Sequence, residues 1–114
     1  MTKHITITPA EGTWVIRAGG AVLGESSNAL ELVEGSHPPV IYFPRADIGM
    51  AFLEKTEKTT TCPHKGEASY FSIMSKSKTY TNAVWSYEAP KPEAARIAGH
   101  LAFYEQDGVT VEQV

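Results

Sequence analysis

The segment Thr61-Cys62-Pro63-His64-Lys65-Gly66-Glu67-Ala68-Ser69-Tyr70 carries the only cysteine of the chain. A thiol, an imidazole and an ammonium lie within four residues there, and Pro63 and Gly66 turn the backbone around them. A cysteine nucleophile acts as its thiolate and needs a neighbouring His, Lys or helix end to lower its pKa. If the segment is extended, Cys62 and His64 at i and i+2 leave on the same face, and Lys65 adds a cation beside them. Cys62 is therefore the candidate catalytic residue. The same pattern suits a structural role equally, since free cysteine is among the most buried residue types.

Other chemistry is less easily written around this segment. Zinc wants three or four ligands; Cys62 and His64 are two, and His4, His37 and His100 lack the spacing to complete a set. No metal is expected. Lys65-Gly66 invites comparison with a phosphate-binding loop, but no glycine stands four or five residues ahead of the lysine and no Ser or Thr follows it. No cofactor is expected.

Binding chemistry has more support. Arg45 sits at a strand-to-helix corner, where backbone N–H groups and the helix N-terminus attract anions, and Arg17 lies on a strand beside a Gly-Gly turn. Arg17, Arg45 and Lys65 would supply positive charge for an anionic group. Tyr42, Tyr70, Trp85 and Tyr87 would supply apolar walls, and Glu88 a base. Aromatics at this density also suit plain core packing. A cage requires several of them to converge on one concave surface with polar partners.

The elements that must position these residues are short strands. His4-Ile5-Thr6-Ile7-Thr8 alternates apolar and polar residues, as a half-buried strand does. Residues 13 to 24 form a hairpin about Gly19-Gly20. Residues 26 to 32 suit either a helical turn or a strand. After the break at His37-Pro38-Pro39, Val40-Ile41-Tyr42-Phe43 is a buried strand stopped by Pro44. Asp47 is placed to cap a short α-helix over residues 47–55, with Ile48, Ala51, Phe52 and the Lys55 stem at helical spacing. Cys62 to Gly66 then becomes the turn leading into a hairpin of two strands, Glu67 to Met74 and Thr79 to Glu88. On the second strand Trp85 and Tyr87 share one face, while Val84, Ser86 and Glu88 share the other. Pro92 opens one helical turn, and Asp107-Gly108 joins strands at 100–104 and 109–112. With no βαβ alternation and no repeat, the expected fold is mainly β: a single antiparallel domain over residues 1–114 with one short helix.

Composition sets the remaining bounds. The chain has 114 residues, enough for one core, with 42% hydrophobic and 20% charged residues, as a globular domain has. Its formal net charge of -3 argues against a nucleic-acid partner, which needs a basic face. No apolar run reaches the ~20 residues that span a bilayer, so no membrane partner is expected. Met1-Thr2-Lys3-His4-Ile5 lacks the apolar core of a signal peptide. A lone cysteine agrees with a reducing compartment, and a cytoplasmic location is the default. No feature of the sequence fixes an oligomeric state.

Four stretches carry a family resemblance: Tyr42-Phe43-Pro44-Arg45-Ala46-Asp47, Thr61 to Tyr70, Ala83-Val84-Trp85-Ser86-Tyr87-Glu88-Ala89-Pro90, and Ile97-Ala98-Gly99-His100-Leu101-Ala102-Phe103-Tyr104. In this order, and over nearly the whole chain, they resemble the domain of unknown function 427 family. Where many of its members have tyrosine, this chain has His64, which sets His64 apart from Cys62, Lys65 and Gly66 as matching positions. The resemblance implies a small bacterial-type β domain of the tent-like class, related to methionine sulfoxide reductase B and cereblon-type ligand domains. Those relatives hold zinc between paired Cys-x-x-Cys ribbons, which a single cysteine cannot build. A nucleotidyltransferase-like label is also attached to the family, but no paired-carboxylate metal site for such chemistry is legible.

Two readings follow. In the first, the domain binds a small molecule or a modified residue in a pocket between the sheet and the Cys62 turn, where the cations would suit an anionic group. That reading extends to an enzyme of unassigned reaction, with a cysteine-dependent enzyme as the sharper form. In the second, it is a structural or protein-interaction domain whose motif residues hold the turn and sheet together. Fold analogy cannot choose between them.

Overall fold

The computed structural model describes residues 4–114; Met1, Thr2 and Lys3, read above for a leader, lie outside the described residues. Ten strands follow in order: β1 (Ile5–Pro9), β2 (Trp14–Ala18), β3 (Ala21–Ser26), β4 (Leu30–Glu34), β5 (Val40–Tyr42), β6 (Leu53–Cys62), β7 (Gly66–Met74), β8 (Thr79–Ser86), β9 (Ala102–Phe103) and β10 (Val109–Gln113). They pair into three antiparallel sheets, β1-β4-β5, β10-β2-β3 and β6-β7-β8-β9. The fold is mainly β, as expected. No helix among the described residues is long and apolar enough to cross a membrane.

The four-stranded sheet lies between two cores, and the period-2 alternation of β7 and β8 explains why. Tyr70 pairs with Trp85 on one face, and Phe71 with Val84 on the other. Phe71, Ile73 and Val84 join Ile16, Phe43, Leu101 and Val109 in the first core. Ala68, Tyr70 and Tyr87 join Leu32, Tyr42 and Ile97 in the second, with Trp85 packed against it. A bulge in β8 is centred on Asn82, whose φ is 51°. Thr56 Oγ1 donates to its side chain at 2.6 Å, and its backbone N–H donates to Ser72 Oγ at 3.1 Å.

The helix expected over residues 47–55 takes a tighter form. Two 3-10 turns, Arg45–Asp47 and Met50–Phe52, flank an extended Ile48 (φ -111°, ψ 138°), and Leu53 already begins β6. Helical spacing lost to sheet pairing here. Ile48 bridges Gly24 of β3, and the Gly49 N–H donates to the Leu23 carbonyl at 2.8 Å. Asp47 accepts a 2.6 Å bond from Ser26 Oγ instead of capping a helix. The close approach also explains Gly24, because a Cβ there would lie 2.6 Å from Ile48 Cδ1. Gly24→Ala is expected to lower stability by about 1–3 kcal/mol, the usual range for overpacking. A urea midpoint equal to wild type would contradict that crossing.

Two further differences concern pairing. The Asp107-Gly108 turn forms, with Gln106 and Val109 exchanging hydrogen bonds of 3.1 and 2.9 Å. The arms then diverge, β9 pairing with β8 and β10 with β2, so they build different sheets rather than one hairpin. The polar, threonine-rich run from Thr56 to Thr61 is part of β6, a ten-residue edge strand. Its β-branched residues suit a pleated edge, and its charges discourage further pairing.

Candidate functional site

The Cys62 turn joins β6 to β7. Cys62 pairs with Gly66 across it, and Gly66 adopts φ 106°, a conformation other residues rarely take. A second segment holds the turn in place. The Lys91 N–H donates to the Lys65 carbonyl at 2.9 Å, Lys91 Nζ donates to the Pro63 carbonyl at 2.7 Å, and His64 Nδ1 stands 3.8 Å from Glu93 Oε1. Fixing the backbone in this way aims Lys65 inward, and its side chain is only 12% exposed.

Lys65 reaches a concavity of about 250 Å³ on the Trp85 face of the four-stranded sheet. Its Nζ lies 2.6 Å from Glu34 Oε1, at the end of β4, and 5.7 Å from the centre of the Tyr87 ring. Tyr42 from β5, Tyr70 from β7, Trp85 from β8, Tyr87 just beyond it and Tyr104 after β9 form the aromatic wall. Leu32, His37, Pro38 and Val40 complete the lining. Trp85 orders this wall: its Nε1–H donates to Tyr42 Oη at 3.2 Å, with the two rings edge to face at 6.4 Å. Tyr104 packs against the Trp85 ring, with centres 4.6 Å apart. Tyr70 Oη is tied to Thr60 Oγ1 at 2.9 Å.

Burial shapes the electrostatics of the wall. It pushes the Tyr42 phenol up to about 12, although the Trp85 hydrogen bond pulls the other way. Burial, then nearby Tyr42 and Cys62, raise Tyr87 as well, and burial and the adjacent Tyr70 raise Tyr104. The phenols at neutral pH are therefore uncharged groups that can donate or accept a hydrogen bond.

Five of the residues singled out in the sequence, Tyr42, Lys65, Tyr70, Trp85 and Tyr87, thus meet around one cavity. Cys62 is half-buried behind the wall, packed against the second core rather than lining the cavity. Arg45 and Glu88 lie on the opposite side of the sheet. Arg45 Nη2 contacts Glu88 Oε2 at 3.2 Å and Ser86 Oγ at 3.3 Å, its Nε donates to the Gly99 carbonyl at 3.0 Å, and its guanidinium covers the Phe71 ring. The Lys55 hydrogen bond, with the charges of Lys55 and Arg45, holds Glu88 below the usual carboxylate range. A charged, already paired carboxylate is a clamp between elements more than a base. Arg17 is exposed on β2, on another sheet.

Glu34, His37 and Tyr104 line the cavity without having been singled out as ligand residues. Glu34 and Lys65 are 31 positions apart, so no local motif announces their contact. No group of three or more His, Cys, Asp or Glu side chains positioned to hold a metal occurs among the described residues. The family model described as "Domain of unknown function (DUF427)" matches residues 6–114 of the chain. No curated protein matches it.

Proposed function

The chain belongs to the DUF427 family, whose name assigns no activity, and we propose that it is a binding domain for a small flat molecule held in the cavity around Lys65. One observation carries this reading: five aromatic rings from separate strands and loops surround a Lys65–Glu34 pair at a concave surface. Sites of this kind are mostly apolar, with a few placed polar groups that orient the ligand. A volume of about 250 Å³ is below the roughly 300–1,000 Å³ of drug-sized pockets, so the ligand is a small metabolite.

The charge balance favours a neutral ligand over an anionic one. Of the three cations expected around an anion, Arg17 and Arg45 are elsewhere, and Lys65 is already neutralised by Glu34. An ammonium beside a carboxylate suits a ring bearing an adjacent acceptor and donor, as a carboxamide does. Cys62 backs the wall without facing the cavity, and binding needs no covalent step from it. The structural reading is favoured for Arg45 and Glu88 by their mutual clamp.

The test is an NMR titration with benzamide, benzoate and cyclohexanecarboxamide, read at the ring protons of Tyr70 and Tyr87. Benzamide is expected to bind most tightly and saturably, and Pro38→Phe, which adds a ring at the mouth, is expected to abolish it. Absence of saturable shifts with any of the three, or shifts indifferent to Pro38→Phe, would remove this reading. Tighter benzoate than benzamide would restore the anionic version.

A further inference from the structure

A second recess, of about 380 Å³, adjoins the first and has a different chemistry. The two share Val40, Trp85 and Tyr104. Its walls include Trp14 from β2 and Phe103 from β9, so both tryptophans of the chain face this one space. Two carboxylates, Glu31 and Glu105, complete it, and no Lys, Arg or His among the described residues lines it.

The carboxylates have distinct positions. Glu31 is half-buried on the central strand of its sheet, opposite Ile41. Glu105 is anchored at the rim, where its Oε1 accepts the Val111 N–H at 3.0 Å. Neither is ion-paired among the described residues. In this respect the recess is the reverse of the Lys65 cavity and of the Arg45–Glu88 cluster, whose carboxylates already have cations at 2.6 to 3.2 Å. Holding the half-buried Glu31 carboxylate without a cation is unfavourable, and the faces of surrounding aromatic rings carry negative potential. An anion is repelled by both features, and a neutral ring would desolvate the carboxylates without compensation. A bare metal ion would find too few donors in too wide a space. A bulky organic cation satisfies both, because its charge attracts the carboxylates and its alkyl surface packs on the rings.

We propose that this recess binds a substituted ammonium group, held over Trp14, Trp85 and Tyr104 and balanced by Glu31 and Glu105. The proposal goes beyond the carboxamide reading of the Lys65 cavity and does not depend on it. Charge complementarity selects the ligand class, and the size of the recess leaves room for several alkyl substituents.

The two indole N–H resonances provide the readout, assigned with Trp14→Phe and Trp85→Phe. Choline is the probe, and 3,3-dimethylbutan-1-ol, which replaces its quaternary nitrogen by carbon, is the neutral control. Choline is expected to shift both indole signals saturably and to bind at least about tenfold more tightly than the control. Glu31→Gln/Glu105→Gln is expected to weaken choline at least about tenfold, while the amide oxygen that replaces the Glu105 carboxylate can still accept the Val111 N–H. If the double variant does not fold, Glu31→Gln alone and a sodium chloride titration each must weaken choline binding. Equal binding of the control, no saturable response to choline, or undiminished choline affinity in a folded carboxamide variant would overturn the proposal. So would loss of the choline response in Pro38→Phe, since it would place the cation in the first cavity. An unchanged response in that variant supports two separate sites, whatever benzamide does.

Discussion

Lys65→Met is expected to lower the unfolding free energy by about 3 kcal/mol, the low end of the cost of breaking a buried ion pair. Methionine keeps much of the apolar stem and removes the ammonium. Glu34, whose side chain is 16% exposed, then loses the cation 2.6 Å away. Because the cavity opens to solvent, water recovers part of the cost, which is why the lower end of the range applies. The loss comes from the carboxylate left behind. Lys65→Met/Glu34→Gln is therefore expected to regain more than half of it, and urea unfolding of the four proteins completes the cycle. The contrasting case is Lys55–Glu88 at 3.0 Å, with side chains 55% and 39% exposed. Exposed pairs of this kind contribute ~0–1 kcal/mol. If Lys65→Met costs no more than Lys55→Met, the Lys65–Glu34 pair has no interior character and the electrostatic argument for the cavity fails.

The difference between these two pairs also marks how much of the site was legible in the sequence. Strand alternation, continued past the end of β8, correctly assigns Trp85 and Tyr87 to one face of the sheet and Glu88 to the other. Taken to its consequence, it already separates Glu88 from the aromatic wall, so a single ligand set containing all three was inconsistent with the strand's own geometry. Arg17 and Arg45 were grouped with Lys65 by charge alone. Charge does not report which sheet a strand joins, and register between distant strands determined where each arginine went. The Glu34–Lys65 contact needs β4 to meet the Cys62 turn across 31 positions, which no local pattern encodes. The Gly19-Gly20 hairpin and the β7–β8 pairing were legible because turn chemistry and period-2 patterning act locally. The residues at 47–55 show the opposite case. Their helical spacing is real, but Ile48 and Gly49 bond to β3, and those partners override a weak helical preference interrupted by glycine. β6 carried a usable signal in its threonines, which are β-branched and suit a pleated edge. Its lack of apolar alternation concealed it.

Alkaline conditions should expose the aromatic wall as an interior element. Tyr42 is 1% exposed, and burial raises its phenol to about 12 from an ordinary 10. A raised folded-state value means that the unfolded chain loses its proton first. The stabilising contribution is thus complete below pH 10 and declines as pH rises from 10 to 12. A difference of two pKa units corresponds to about 2–3 kcal/mol lost by pH 12, with Tyr87 adding to the decline in the same direction. Tyr42→Phe isolates the effect. At neutral pH it removes the acceptor for Trp85 Nε1 and is expected to cost about 1 kcal/mol. Above pH 10 it lacks the titration, so its stability falls less steeply and the two curves are expected to cross at about pH 11. Urea unfolding at fixed pH values from 8 to 12 measures both curves, and tyrosinate absorbance follows the phenols directly. Parallel curves for wild type and Tyr42→Phe would mean that Tyr42 is wet in solution. A wet Tyr42 would leave the wall around Lys65 loose, and a loose wall cannot select a flat ligand.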